Sequence, residues 1–150
     1  MTEETAARLA SLFYIGITAG RAASGFLTYR LNDTNMIRLG EGIIVFGVIV
    51  MVLPLGEMAA MAGMILIGLG CAPVYPCIIH STPDHFGAEN SQAIIGVQMA
   101  TAYAGSLVMP SIFGLIANHI DVRLYPIFLG VIGVAMLVMN EQLNRKTAKK

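Results

Sequence analysis

Charge is what this chain has least of. Its 150 residues include nine Lys or Arg and nine Asp or Glu, 12% in all, beside 56% hydrophobic residues. Soluble domains carry about 25% charged residues, so this composition points to a protein whose surface meets lipid. The two signs cancel, which removes the basic footprint that nucleic acid requires. Positive charge is also scarce at the start: Glu3 and Glu4 precede the first apolar run, with Arg8 the only cation there. A secretory signal begins with positive charge, and none is read here. Cysteine is sparse too. Cys71 and Cys77 stand six apart in one apolar segment and point to different helix faces. They are read as small packing residues, neither a disulfide nor a metal site.

Catalytic patterns are missing as well. No H-E-x-x-H, G-x-S-x-G or Walker A sequence occurs. Intramembrane proteolysis, acyl transfer and nucleotide hydrolysis therefore have no basis, and no enzyme, cofactor or metal is expected. His80, Asp84 and His85 cluster between His80 and Ser91. A metal needs three or four ligands at short range, and Pro83 is expected to interrupt any helix that could align them. The segment reads as a solvated connecting loop.

Long apolar runs are what the chain does have. A bilayer core needs about 20 apolar residues as helix. Five segments qualify: Leu9–Thr28, Ile37–Leu55, Met58–Ile79, Gln92–Ala117 and Leu124–Val138, followed by a polar, basic tail at Asn140–Lys150. The fold class expected is all-α, a membrane bundle of about five spans. With the tail inside, Arg30, Arg38, Arg145, Lys146, Lys149 and Lys150 lie inside, against Arg8 and Arg123 outside. This cation excess places the N-terminus outside and the C-terminus in the cytoplasm.

The bundle is expected to form around Gly63–His80. That segment contains Gly63, Gly68 and Gly70, then Pro73 and Pro76 flanking Tyr75. Gly and Pro destabilise helices in water. Inside a membrane, neighbouring helices can satisfy the freed backbone groups. The prolines are expected to break this helix, and such interrupted spans tend to line a path.

Two other spans carry polar stripes. In the first, Gly16, Gly20, Ser24 and Thr28 recur every four residues, a ridge for close helix approach. Beside it run Tyr14, Thr18, Arg21, Gly25 and Thr28. Arg21 lies roughly 10 Å from the inner end of that span. It either snorkels or bonds another helix, or it lines a polar cavity. In the fourth span Ser91, Gln98, Thr101, Ala102, Gly105 and Ser106 form a second stripe before Pro110, which is expected to bend the helix. Gln98 must find a polar partner, either a neighbouring helix or a solute. The second and fifth spans are plain and read as outer, lipid-facing scaffold. Glu41, near the inner end of the second, is either an interface carboxylate paired with Arg38 or Arg21 or a proton carrier.

The run Leu12-Phe-Tyr-Ile-Gly-Ile-Thr-Ala-Gly-Arg-Ala-Ala-Ser-Gly-Phe-Leu27, continuing through Arg30 to Arg38, resembles the major facilitator superfamily. It is similar to the Gly-Arg-x-x-x-Gly helix and inner loop carried in each half of those transporters. Gly20, Arg21, Gly25, Arg30 and Arg38 stand at the motif positions. In the fuller pattern an Asp often follows Gly-x-Leu, where Thr28 or Tyr29 stands here. The run Gly68-Leu-Gly-Cys-Ala-Pro-Val-Tyr-Pro76 through Gly87, then Gln98 to Gly114, resembles the sugar-transporting branch containing the fucose permeases.

The resemblance implies spans eight to twelve of a twelve-span transporter, with the same orientation as the charge count. It implies alternating access for a sugar or similar polar solute, with Tyr14, Arg21, Tyr75 and Gln98 as candidates for the substrate path. Gly16, Gly20, Gly68 and Gly70 would permit close helix approach. It also implies that the chain is a C-terminal part, inactive alone, with the N-terminal half as its partner. The expected location is the plasma (inner) membrane. The competing reading is a small non-transporting bundle acting as scaffold or partner subunit.

Overall fold

The computed structural model describes residues 3–53, 56–119 and 124–147. Leu55, Arg123, Lys149 and Lys150, used above for a span boundary and the charge count, lie outside the described residues. Six helices follow one another: α1 Glu3–Leu27, α2 Asp33–Val52, α3 Glu57–His80, α4 Thr82–Phe86, α5 Ala88–His119 and α6 Tyr125–Thr147. No strand occurs among the described residues. Four of them (α2, α3, α5 and α6 up to Lys146) are long and apolar enough to cross a membrane. α1 has the length, at 25 residues, but Arg21 and its Ser, Thr and Gly residues dilute its hydropathy.

α3 is the centre. α1 packs along one side of it and α2 along the other, and α6 lies against α2. Lipid is as apolar as Leu, so helices in a membrane associate through close packing of small residues. That is the arrangement here. A Cβ on Gly70 would sit 2.5 Å from the Gly40 carbonyl oxygen, and one on Gly63 would sit 2.8 Å from that of Gly47. On the other side Gly68 lies against the backbone of Phe13, Gly16 against Ile65, and Gly20 against Leu69 and Ala72. The buried core is Met36, Ile37, Ile44, Ile67, Val74 and Cys77, which join α2 to α3.

Three expectations are corrected. Pro73 and Pro76 do not break the central span, because α3 continues through both to His80. Neighbours on two sides hold it, and Gly40 leaves room for the Pro73 ring, whose Cγ would lie 3.2 Å from a Cβ there. The second span is not lipid-facing all round: Leu39, Phe46 and Ile49 on one face are exposed, but the other face is covered. Met36, Ile37, Gly40, Glu41, Ile44 and Gly47 are buried on α2, because its glycines, seven residues apart, mesh with Gly63 and Gly70. Nor is His80–Ser91 an irregular loop: most of its residues are exposed, but it is largely helical. Pro83 falls in the first turn of α4, where its missing N–H costs nothing. Ser81, Thr82 and Ser91 are buried. Gly87, at φ 83°, then makes the turn into α5 with a backbone that side chains disfavour.

The polar, basic tail is helical over its described residues. α6 carries on through Thr147, supported by Arg145 bonding Glu141 and Asn144 bonding Asn140 one turn back. α5 is unbroken at Pro110.

Candidate functional site

Two places gather the polar residues. The first is one end of the bundle, where the start of α2, the ends of α3 and α6, α4 and the first half of α5 meet. Asp33 opens α2 and its Oδ2 lies 2.6 Å from Nδ1 of His80, the last residue of α3. Thr82, 2% exposed, donates its hydroxyl proton to the Ile78 carbonyl at 2.8 Å. The same oxygen accepts from the Gln98 amide at 3.2 Å. His85 Nδ1 lies 2.7 Å from the Ser81 carbonyl. Thr34, Thr82, His85, Gln98, Asn140 and Asn144 surround a cavity of about 30 Å³ between these helices, room for about one water molecule.

Between α2 and α6 at this end, Arg38 donates to Glu141 at 2.8 Å and Arg145 donates to the same carboxylate at 3.3 Å. Glu41 does not pair with Arg38 or Arg21. Its Oε2 accepts from Asn140 at 3.2 Å. The expectation failed because Glu141, one helix away, captures the Arg38 guanidinium, and Arg21 is on a different helix with α3 between.

The second place is the outward face of α1. Tyr14, Thr18, Arg21, Gly25 and Thr28 are all exposed on it, while Gly16 and Gly20 on the adjoining face are buried against α3. Among the described residues no side chain pairs with Arg21. The hydroxyls of Thr18, Ser24 and Thr28 turn back to carbonyls of their own helix, including that of Arg21.

The four path candidates therefore divide. Tyr14 (66% exposed) and Arg21 look outward from α1, Tyr75 (42% exposed) looks outward from α3, and Gln98 is tied to Thr82. No hydrogen bond or ring contact links any of the four to another. Of the motif residues, Gly20 packs on α3, Gly25 faces open space, Arg30 is exposed and Arg38 is paired. Thr82, Asp33, Asn140 and Glu141 were overlooked in the sequence. Asn140 and Glu141 fall in the polar tail of the sequence; their spacing from Asn144 and Arg145, four residues in each case, is the helical signal there.

Cys71 and Cys77 are free thiols. Among the described residues no group of three His, Cys, Asp or Glu side chains could hold a metal ion.

Apolar helices meshed by glycine, with exposed Leu, Ile, Val and Phe on their outer sides and polar groups collected at one end, define an integral membrane protein of the all-α class. The family pattern described as Major Facilitator Superfamily matches residues 1–146. The chain belongs to that superfamily, whose members are transporters of small solutes. No curated protein and no solved structure matches it.

Proposed function

We propose that this chain forms most of the C-terminal half of a secondary transporter for a sugar or similar small polar solute, working by alternating access. The observation that carries this reading is Arg21. A cation within a span cannot be left against lipid, yet no described residue pairs with it and the α1 face around it is polar and exposed. That face needs water, solute or the polar side of another bundle. The N-terminal half of such a transporter is the partner that fits. Tyr14 and Arg21 on α1 and Tyr75 on α3 then border the path. The resemblance of Gly68–Gly87 and Gln98–Gly114 to the fucose-permease branch supports a sugar as solute. The excess of Lys and Arg at the α2 and α6 ends supports a cytoplasmic C-terminus and an outside N-terminus.

Vesicles containing only this chain are expected to show no uptake of labelled monosaccharides above protein-free vesicles. Uptake by them would overturn the partial-half reading. A second measurement addresses the path. Single cysteines at positions 14, 21 and 75, in a background lacking Cys71 and Cys77, are expected to react with a water-soluble maleimide in nanodiscs when the other half is present. Protection of all three would remove the path.

The scaffold reading gains from one observation. Gln98 spends its amide on Thr82 inside the chain, so only Arg21 still demands more than packing. If position 21 is shielded and Arg21→Leu stabilises the bundle, the scaffold reading takes over.

A further inference from the structure

Glu41 is a charged-type side chain in the wrong place for a charge. It lies eight residues into α2, about 12 Å along the helix from Asp33, and is only 2% exposed. Oε2 accepts one hydrogen bond, from Asn140. Oε1 is buried with no partner among the described residues. An ionised carboxylate buried with one oxygen unmatched carries a desolvation cost of several kcal/mol that the neutral acid avoids.

The neighbouring charges relieve it only in part, since burial outweighs them. Arg38, three residues earlier, is the cation acting on Glu41, but it is hydrogen-bonded to Glu141. Glu141 of α6 acts on Glu41 with the same sign, and Arg145 is bonded to Glu141 as well. α3, packed on the other side of α2, meets Gly40 with Gly70, Pro73 and Val74. Its titratable Cys77 and His80 lie toward Asp33.

There is also a way in. Arg38, Glu41, Asn140, Glu141 and Arg145 line an open cleft of about 570 Å³ between α2 and α6. Water at the polar end can reach it.

We propose that Glu41 is a proton-binding site loaded through the cleft between α2 and α6. Uptake adds one proton to the carboxylate, and release returns it to water in the cleft. No other reactant takes part. With Glu41 neutral, α2 and α6 close over it. With Glu41 charged, the unmatched oxygen draws water into the seam and loosens it. The site is thus a coupling group on a movable seam, and in that role it rests on the transport reading.

The test is infrared difference spectroscopy of the full chain in nanodiscs across a pH titration, read at the carboxylic-acid C=O stretch. Among the carboxylic bands of the nine Asp and Glu side chains, one component is expected to titrate as a single site, to be missing in Glu41→Gln, and to persist in Glu141→Gln. Asn140→Leu, which removes the donor to Oε2, is expected to displace the midpoint by about one pH unit, the equivalent of one charge-assisted hydrogen bond. Gln keeps the shape of Glu, and burial of the Cys77 thiol reports that each variant is folded. A titrating carboxylic spectrum in folded Glu41→Gln identical to that of the wild-type chain overturns the proposal. No solute is present, so its failure leaves the transport reading standing, and failed transport leaves the proton site standing.

Discussion

The α2–α3 seam is the feature most open to a quantitative test, through Gly70→Ala. A Cβ on Gly70 meets the Gly40 carbonyl oxygen at 2.5 Å, Ile44 Cγ1 at 2.8 Å and the Ile44 nitrogen at 2.9 Å. Two of the three are backbone atoms, so no side-chain rotation relieves the clash. Carbon and carbonyl oxygen normally approach to about 3.3 Å at the closest, so the helices must part by about 0.8 Å at that point. A gap of that size forfeits a quarter to a half of the dispersion energy of the contacts around it. Overpacking of this kind costs about 1–3 kcal/mol. The helix propensity gained by replacing Gly with Ala, about 1 kcal/mol at most, offsets part of it. A net loss of about 1–2 kcal/mol is expected. Gly105 on α5 has nothing within 4 Å of its would-be Cβ, so Gly105→Ala serves as the control and should be neutral or slightly stabilising. The assay is unfolding in mixed micelles, followed by a thiol-reactive fluorophore. Cys77 is buried and is exposed to the reagent only as the helices separate. If Gly70→Ala unfolds at the wild-type midpoint, or Gly105→Ala falls as far, the glycine-meshed seam is not what holds α2 to α3.

Further outcomes follow from the other contacts. Gln98→Leu should cost about 1 kcal/mol in the same assay, since it leaves the buried Thr82 hydroxyl without its α5 partner; pairing it with Thr82→Val should cost little more than either alone, and full additivity would show the two side chains to be independent. A double-mutant cycle on Arg38→Gln and Glu141→Gln should show coupling at low salt that fades toward 1 M, because both side chains are about half exposed and the screening length falls to about 3 Å there; a salt-independent coupling would contradict that geometry. Arg21→Gln should leave the unfolding midpoint of the isolated chain unchanged, since no described residue pairs with Arg21, and a clear loss would reveal a contact within the bundle.

The Gly40 and Gly47 pair shows where reading the sequence fell short. The Gly16–Gly20 ridge was recognised because small residues four apart are a known contact pattern, and α1 does lie against α3 there. Gly40 and Gly47 are seven apart, two helical turns, and so share a face just as well. They stand in a run of Ile and Val that reads as lipid-facing when considered alone. Only the matching spacing of Gly63 and Gly70 on α3 reveals the mesh. Similarly, Pro73 and Pro76 look like a break until Gly40 is placed opposite the Pro73 ring.

The polar end was less legible, for a different reason. Asp33 with His80, Arg38 with Glu141, and Glu41 with Asn140 are separated by 47, 103 and 99 residues. No local spacing joins them. Arg38 and Glu141 could each be paired with several residues on paper, and the choice depends on which helix ends lie side by side.

The sequence by itself determined the class. Charge scarcity and apolar run lengths follow from the solvent, and lipid imposes them on each segment separately, so each can be read separately. The Gly-Arg-x-x-x-Gly helix likewise pointed to the superfamily from local residues alone. The tertiary structure decided which helix is central, which faces are covered and which carboxylate lacks a partner. Those depend on interhelix distances of a few tenths of an ångström and on pairing between distant segments. Period and composition do not encode such quantities. They are set when the backbones of α1, α2 and α3 close on one another at their glycines.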